Sequence, residues 1–136
     1  MDFAQPHGRR SVVAITADYT VTDQDFGTRF TTTGGGGARV FTMPDPASFN
    51  GEWVEFFNTV NQNMTVKAGT SSHKFVVLND LTATSVAYST SNNKSGCGFR
   101  LTSDGLVWMV ETITAVAGAA TVGAGIAKSA PVTIGT

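Results

Sequence analysis

Cys97-Gly98-Phe99-Arg100-Leu101-Thr102, then Ser103-Asp104-Gly105, then Leu106-Val107-Trp108-Met109-Val110: two apolar, β-prone runs flank an Asp-Gly step. Asp-Gly in this setting is a strong short-range hairpin signal, because glycine accepts positive φ without strain and the turn's twist suits the paired strands. Similar runs recur outward from this hairpin, each bounded by turn chemistry. Ser11-Val12-Val13-Ala14-Ile15-Thr16 opens the strand-like region, and Tyr19-Thr20-Val21-Thr22 alternates apolar with polar residues. After a turn at Asp25 to Gly27 come Arg29-Phe30-Thr31-Thr32-Thr33, a Gly34-Gly35-Gly36-Gly37 hairpin loop and Arg39-Val40-Phe41-Thr42-Met43. Pro44 and Pro46 end that run, since proline cannot donate to a ladder.

Asn50-Gly51 is a second turn signal and opens Glu52-Trp53-Val54-Glu55-Phe56-Phe57-Asn58. Met64-Thr65-Val66-Lys67-Ala68 and Lys74-Phe75-Val76-Val77-Leu78 read as a strand pair joined through residues 69–73, and Ser85-Val86-Ala87-Tyr88-Ser89 precedes a polar loop. Turn signals every 8 to 12 residues or so, without an amphipathic helix between them, indicate an all-β chain. The expectation is one antiparallel β-sandwich, jelly-roll-like or barrel domain over residues 11–114, with an N-terminal arm, 1–10, and an extended C-terminal tail, 115–136.

The 136 residues suffice for one core, and a chain of this size buries roughly two-thirds of its unfolded surface. Charged residues are 14% of the chain, against about 25% in typical domains, and the formal net charge is −1. A surface built from Thr, Ser, Asn and Gly repels neighbours weakly, which suits a protein covered by other subunits. Nine basic and ten acidic residues, unclustered, provide no footprint for nucleic acid. Charges near the first residue are followed by no apolar segment, so no secretory signal is expected. Residues 115–127 are Ala/Gly/Val-rich and shorter than the roughly 20 residues of a membrane helix. Cys97 stands alone, consistent with a buried thiol and a reducing compartment.

Motifs that carry chemistry are weak. Asp18, Asp23 and Asp25 lack the spacing of a calcium loop and read as turn-capping carboxylates. No Gly-Lys-Ser/Thr follows the glycine run, which excludes a phosphate loop. His7 and His73 have no metal-ligand spacing, and no serine is marked as a nucleophile. The Asn63-Met64-Thr65 and Asn93-Lys94-Ser95 sequons carry no meaning without export. Neither an enzyme nor a cofactor is expected. Trp53, Phe56, Phe57, Tyr88 and Trp108 read as core or subunit-contact aromatics, with a sugar-binding platform as the competing reading. Leu106 to Val110 is apolar on both faces, which suggests that its second face meets another layer or subunit. The tail has no aromatic residue and cannot order itself by burial alone. Val122, Ile126, Val132 and Ile134 are its apolar anchors, expected to be ordered by a neighbouring subunit through strand addition.

A resemblance adds to this reading. Ala17-Asp18-Tyr19-Thr20-Val21-Thr22, Asp25-Phe26-Gly27, Phe41-Thr42-Met43-Pro44, Gly51-Glu52-Trp53-Val54-Glu55-Phe56-Phe57-Asn58 and Met64-Thr65-Val66-Lys67-Ala68-Gly69 occur in the order found in β-rich structural modules of tailed-bacteriophage virions. Ser103-Asp104-Gly105-Leu106-Val107-Trp108 is similar to their closing strand pair, and Met43 stands where they carry leucine. Such modules form tail-fibre tips and capsid decoration, or cement, proteins; the absence of a shaft in this sequence favours the second. The resemblance implies a homo-oligomer, a trimer more often than a dimer, made in the bacterial cytoplasm and seated on the capsid exterior against the major capsid protein. Phe3 is then the apolar anchor of the arm, and Arg9 and Arg10 pair with shell carboxylates. A glycan-binding fibre tip is the alternative.

Overall fold

The computed structural model describes residues 11–33, 37–89, 94–113 and 132–135. They form strands β1 (Ser11–Ile15), β2 (Tyr19–Thr20), β3 (Thr28–Thr32), β4 (Arg39–Met43), β5 (Trp53–Asn58), β6 (Met64–Ala68), β7 (Phe75–Val77), β8 (Asp80–Ala83), β9 (Ser85–Tyr88), β10 (Gly98–Ser103), β11 (Trp108–Thr112) and β12 (Val132–Gly135). A short 3₁₀ turn, Pro46–Ser48, is capped by the Asp45 carboxylate, which accepts from the Ala47 N–H. The all-β expectation holds. The strands form a seven-stranded sheet, β1-β3-β5-β10-β11-β7-β8, and a five-stranded sheet, β12-β9-β6-β4-β2.

Both sheets are mixed rather than antiparallel, which corrects the hairpin-dominated expectation. The first six strands alternate between sheets, so β1, β3 and β5 lie parallel in the large sheet while β2, β4 and β6 lie parallel in the small one. Parallel neighbours need a long crossover. Here a strand of the opposite sheet supplies it in place of a helix. The glycine run therefore joins strands of different sheets, β3 and β4, and closes no hairpin. Likewise β6 pairs with β4 and β9, whereas β7 pairs with β11 and β8.

The β10–β11 hairpin is antiparallel, with Ser103 opposite Trp108. Its loop is four residues long rather than two. Gly105 takes φ +91°, and the Asp104 carboxylate accepts from the Leu106 and Val107 N–H groups, which hold it below the usual carboxylate range. Leu106 consequently stands in solvent, and along β11 exposure alternates: Trp108 and Val110 are buried, Met109 is exposed. The apolar run thus shows one exposed face, with no layer over it among the described residues.

Phe30, Val54, Phe56, Phe99, Leu101, Trp108 and Phe75 from the large sheet share one core with Phe41, Met43, Met64, Val66, Val86 and Tyr88 from the small one. Phe41 and Phe56 meet across the sheets at 4.5 Å between ring centres. Cys97 is buried in this core. At one end the core turns polar. Arg39 donates to the carbonyls of Thr33, Gly37 and Ala38, Thr32 Oγ1 donates to Asn58 Oδ1, and Asn58 donates to the Gln62 carbonyl.

Two local features carry predictions. The two-residue β7–β8 turn holds Leu78 at φ +47° and Asn79 at φ +73°. A branched residue is strained there, and Leu78 is exposed, so its side chain repays little of the cost. Replacing the pair by Asn-Gly (Leu78→Asn with Asn79→Gly) is expected to stabilise the fold by about 1 kcal/mol and raise Tm by roughly 4 °C in a thermal melt.

The second feature concerns the chain's two tyrosines. Burial pushes Tyr88 far above the ordinary phenol value, while the Tyr19 hydroxyl is raised by donating to the Asp25 carboxylate. The folded state then keeps protons that the unfolded state releases. Stability is fully present below about pH 10 and falls as pH rises above it. Phenolate absorbance is expected to appear together with alkaline unfolding, and Tyr88→Phe to flatten that limb; phenolate forming at the ordinary value in an intact fold would refute the assignment.

Candidate interaction surface

Alternation along β5 sends Val54 and Phe56 into the core and Trp53, Glu55 and Phe57 to the outer face of the large sheet. Register then aligns Val12, Arg29, Glu55, Arg100 and Glu111 in one row across five strands. Trp53, Thr102, Met109 and Val76 form the row on one side, and Ala14, Thr31 and Phe57 the row on the other.

Side chains interlock within these rows. Arg29 Nε donates to Glu55 Oε1 at 2.9 Å, and Arg100 Nη1 donates to Oε2 at 3.0 Å. Each carboxylate oxygen thus receives one guanidinium. Arg29 also lies over the Phe57 ring at 4.8 Å, and Arg100 over Trp53 at 4.4 Å. The Glu55 side chain is only 5% exposed, although it projects from the outer face, because the arginines and aromatics cover it. The arginines themselves keep 26% and 35% of their surface. The result is a flat patch of guanidinium planes braced on aromatic rings, with each side chain's orientation fixed before any partner arrives.

Glu55→Gln is expected to cost about 2 kcal/mol and lower Tm by roughly 6–10 °C, because two guanidiniums lose their shared anion while retaining access to water. An unchanged melt would show that the ring contacts alone hold the patch together.

The residues singled out from the sequence are dispersed. Phe56, Tyr88 and Trp108 are fully buried, while Trp53 and Phe57 are half-buried on the outer face, so the five aromatics form no common platform. Guanidiniums occupy the stacking faces of the two outer rings. Phe3, Arg9, Arg10, Val122 and Ile126 lie outside the described residues, as do the side chains of Val132 and Ile134. The backbone of Val132–Gly135 pairs antiparallel with β9 of the same chain. This intrachain pairing differs from the expected ordering by a neighbour. Asp25 caps its turn by accepting from the Thr22 N–H, and Asp18 accepts from the Val40 N–H.

Among the described residues no group of three or more His, Cys, Asp or Glu side chains is placed to hold a metal, and no helix is long and apolar enough to cross a membrane. A shallow, open depression of about 320 Å³ beside the end of β6 is lined by Lys67, Gly69, Thr70, Ser71, Thr84 and Ser85. Its open walls, part polar and part apolar, enclose no binding volume. Sequence reasoning missed the Arg29–Glu55–Arg100 ladder because its members are 26 and 45 residues apart. The available signal was a lone charge between Val54 and Phe56 in an apolar run. No family model matches the chain, and no curated relative is found for it.

Proposed function

We propose that this protein is a capsid decoration protein of a tailed bacteriophage, a homo-oligomer that binds the outside of the icosahedral shell and stabilises it. The observation that supports a binding role is the outer face of the large sheet, where arginine and aromatic side chains are already immobilised. Arginine and aromatic residues are enriched at protein interfaces, and side chains fixed beforehand lose less entropy on association. The strand motifs resembling virion modules fall on β2, β4, β5, β6 and the β10–β11 hairpin, and direct the binding role to a phage particle. We read the two sheets around one core as a β-sandwich of jelly-roll-like type, whose rigid body presents this face.

Stabilisation follows from mass action. A ligand that binds one state of the shell lowers its free energy by about 2.7 kcal/mol per site at a hundredfold excess over Kd. Summed over many sites, this favours the decorated state. The arm is the cleaner truncation for testing shell contacts, since removing the tail also strips β12 from its sheet.

The deciding experiment raises antibodies against the full chain and locates them on purified particles of the encoding phage. Labelling over the head is the expected result. Labelling at the fibre tip would replace this reading with host-glycan recognition, and unlabelled particles would overturn both.

A further inference from the structure

Every open sheet leaves two edges whose backbone groups can template another strand, and stable proteins blunt them with short strands, charges or bulges. Among the described strands, three of the four edges are modified in such ways. β2 has two residues; β8 opens on Asp80 and pairs through a register shift opposite Phe75 and Val77; β12 is itself the added strand and ends in glycine. β1 differs. It has five residues, Ser11–Ile15, with no charge, proline or glycine, and it runs in unbroken register with β3.

The side chains of Ser11 to Ala14 are also exposed on both faces, and only Ile15 is partly buried. Val12 shares the outer row with Arg29 and is 63% exposed. Val13 lies opposite Phe30, a fully buried core residue, yet is itself 41% exposed. Ile15 alone reaches the rim of the core, so Ser11 to Ala14 extend beyond β3 as an exposed, largely apolar strand.

We propose that β1 is a self-association edge, at which two copies of this chain pair β1 to β1 antiparallel about a two-fold axis and join their large sheets into one. A register centred on Val13 sets Val13 against the other copy's Val13, Val12 against Ala14, and Ser11 against Ile15. Opposed residues in an antiparallel pair share a face, so the outward Val12 meets the outward Ala14 and the inward valines meet each other. No charge lies in this pairing. Charge complementarity selects its direction: Arg9 and Arg10 precede the strand in sequence and Asp18 follows it. Antiparallel order sets the basic end of one copy beside the acidic end of the other, whereas parallel order would set like ends together. The two-fold pairing gives an isologous dimer. It stands on the edge alone, whatever surface the dimer binds.

Sedimentation or light scattering of the full chain is expected to give twice the 14.2 kDa chain mass at micromolar concentration. Val13→Lys and Val13→Glu place like charges against each other at the axis, and each is expected to sediment at the single-chain mass with unchanged circular dichroism. Mixing the two variants in equal amounts is expected to restore the doubled mass. A wild-type monomer or trimer, variants that keep the dimer, or a mixture that stays monomeric would each overturn the proposal. If a charged variant fails to fold, Val13→Cys gives the readout, because only Val13 meets its own copy: it is expected to cross-link into a covalent dimer on oxidation, while Val12→Cys is not. Cross-linking of Val12→Cys alone would equally overturn the register.

Discussion

Trp108→Ala is expected to remove about 4–5 kcal/mol of stability and lower Tm by roughly 15–20 °C. Trp108 is fully buried, and its ring stacks on Phe26 at 5.9 Å between centres. Truncating a buried tryptophan typically costs about 3–5 kcal/mol, because removed atoms leave a cavity that the surroundings fill only partly. A second loss is specific to this site. Trp108 Nε1 donates to the Pro44 carbonyl at 2.9 Å, while the Trp108 backbone N–H donates to the Lys74 carbonyl at 3.0 Å. The ring thus ties β11 to the segment that leaves β4, and Ser103 Oγ supports the same segment by donating to the Pro46 carbonyl. Trp108→Phe separates the two terms: it keeps most of the volume, loses the indole donor, and should cost about 1–2 kcal/mol. Since small domains have about 5–15 kcal/mol in total, the alanine variant should be largely unfolded at 37 °C if this protein lies near the lower end. Equal melts for the alanine and phenylalanine variants would show that packing contributes little and the hydrogen bond nearly everything.

That stretch was also the most legible part of the sequence, for a physical reason. Asp104-Gly105 encodes its turn locally, through a carboxylate that caps two N–H groups and a glycine at positive φ. Gly27 and Gly51, both at positive φ, mark turns at Asp25 to Gly27 and Asn50-Gly51 in the same way. Strand identity was legible wherever apolar and polar residues alternate, as in β3 and β4, whose odd-numbered or even-numbered positions alone are buried. Strand partners were not. Whether the chain after Thr33 turns back on its own sheet or crosses to the other depends on how two apolar faces close over one core, which four glycines do not encode. The assumption that near neighbours pair as hairpins consequently misplaced β3 with β4 and β6 with β7. The outer patch was hidden for a related reason. Glu55 is buried only because Arg29 and Arg100 arrive from adjacent strands, and that adjacency is itself a product of the crossovers. The β1 edge, by contrast, could be read in part: Ser11 to Ile15 shows apolar residues on both faces without the turn signal or charge that would close it off.

Gly98→Ala tests the tightest approach between strands, and should cost about 3 kcal/mol or more, with Tm falling by 10 °C or more. Gly98 begins β10, which lies between β5 and β11 in the middle of the large sheet. A methyl group there would fall on the Phe56 carbonyl oxygen and sit 3.2 Å from the Phe57 Cα. Those atoms are backbone of the neighbouring strand, so no rotamer change relieves the collision; the β5–β10 spacing itself must open. The disturbance would spread in two directions, because the Gly98 carbonyl accepts from Tyr88 Oη at 2.8 Å and from the Ile113 N–H at 2.8 Å. Glycine's role here is close approach, since its φ is not among the positive ones. Gly135→Ala is the control. Its methyl would meet Ser85 Oγ, the end of a short side chain that can rotate away, so a loss below about 1 kcal/mol is expected. The two variants add the same atom to strands of the same protein, and differ in whether the obstacle is a movable side chain or a fixed ladder. A Gly98→Ala melt within 2 °C of Gly135→Ala would mean that β5 and β10 separate easily, and that the rigid outer face built on Glu55 and Arg100 is not rigid.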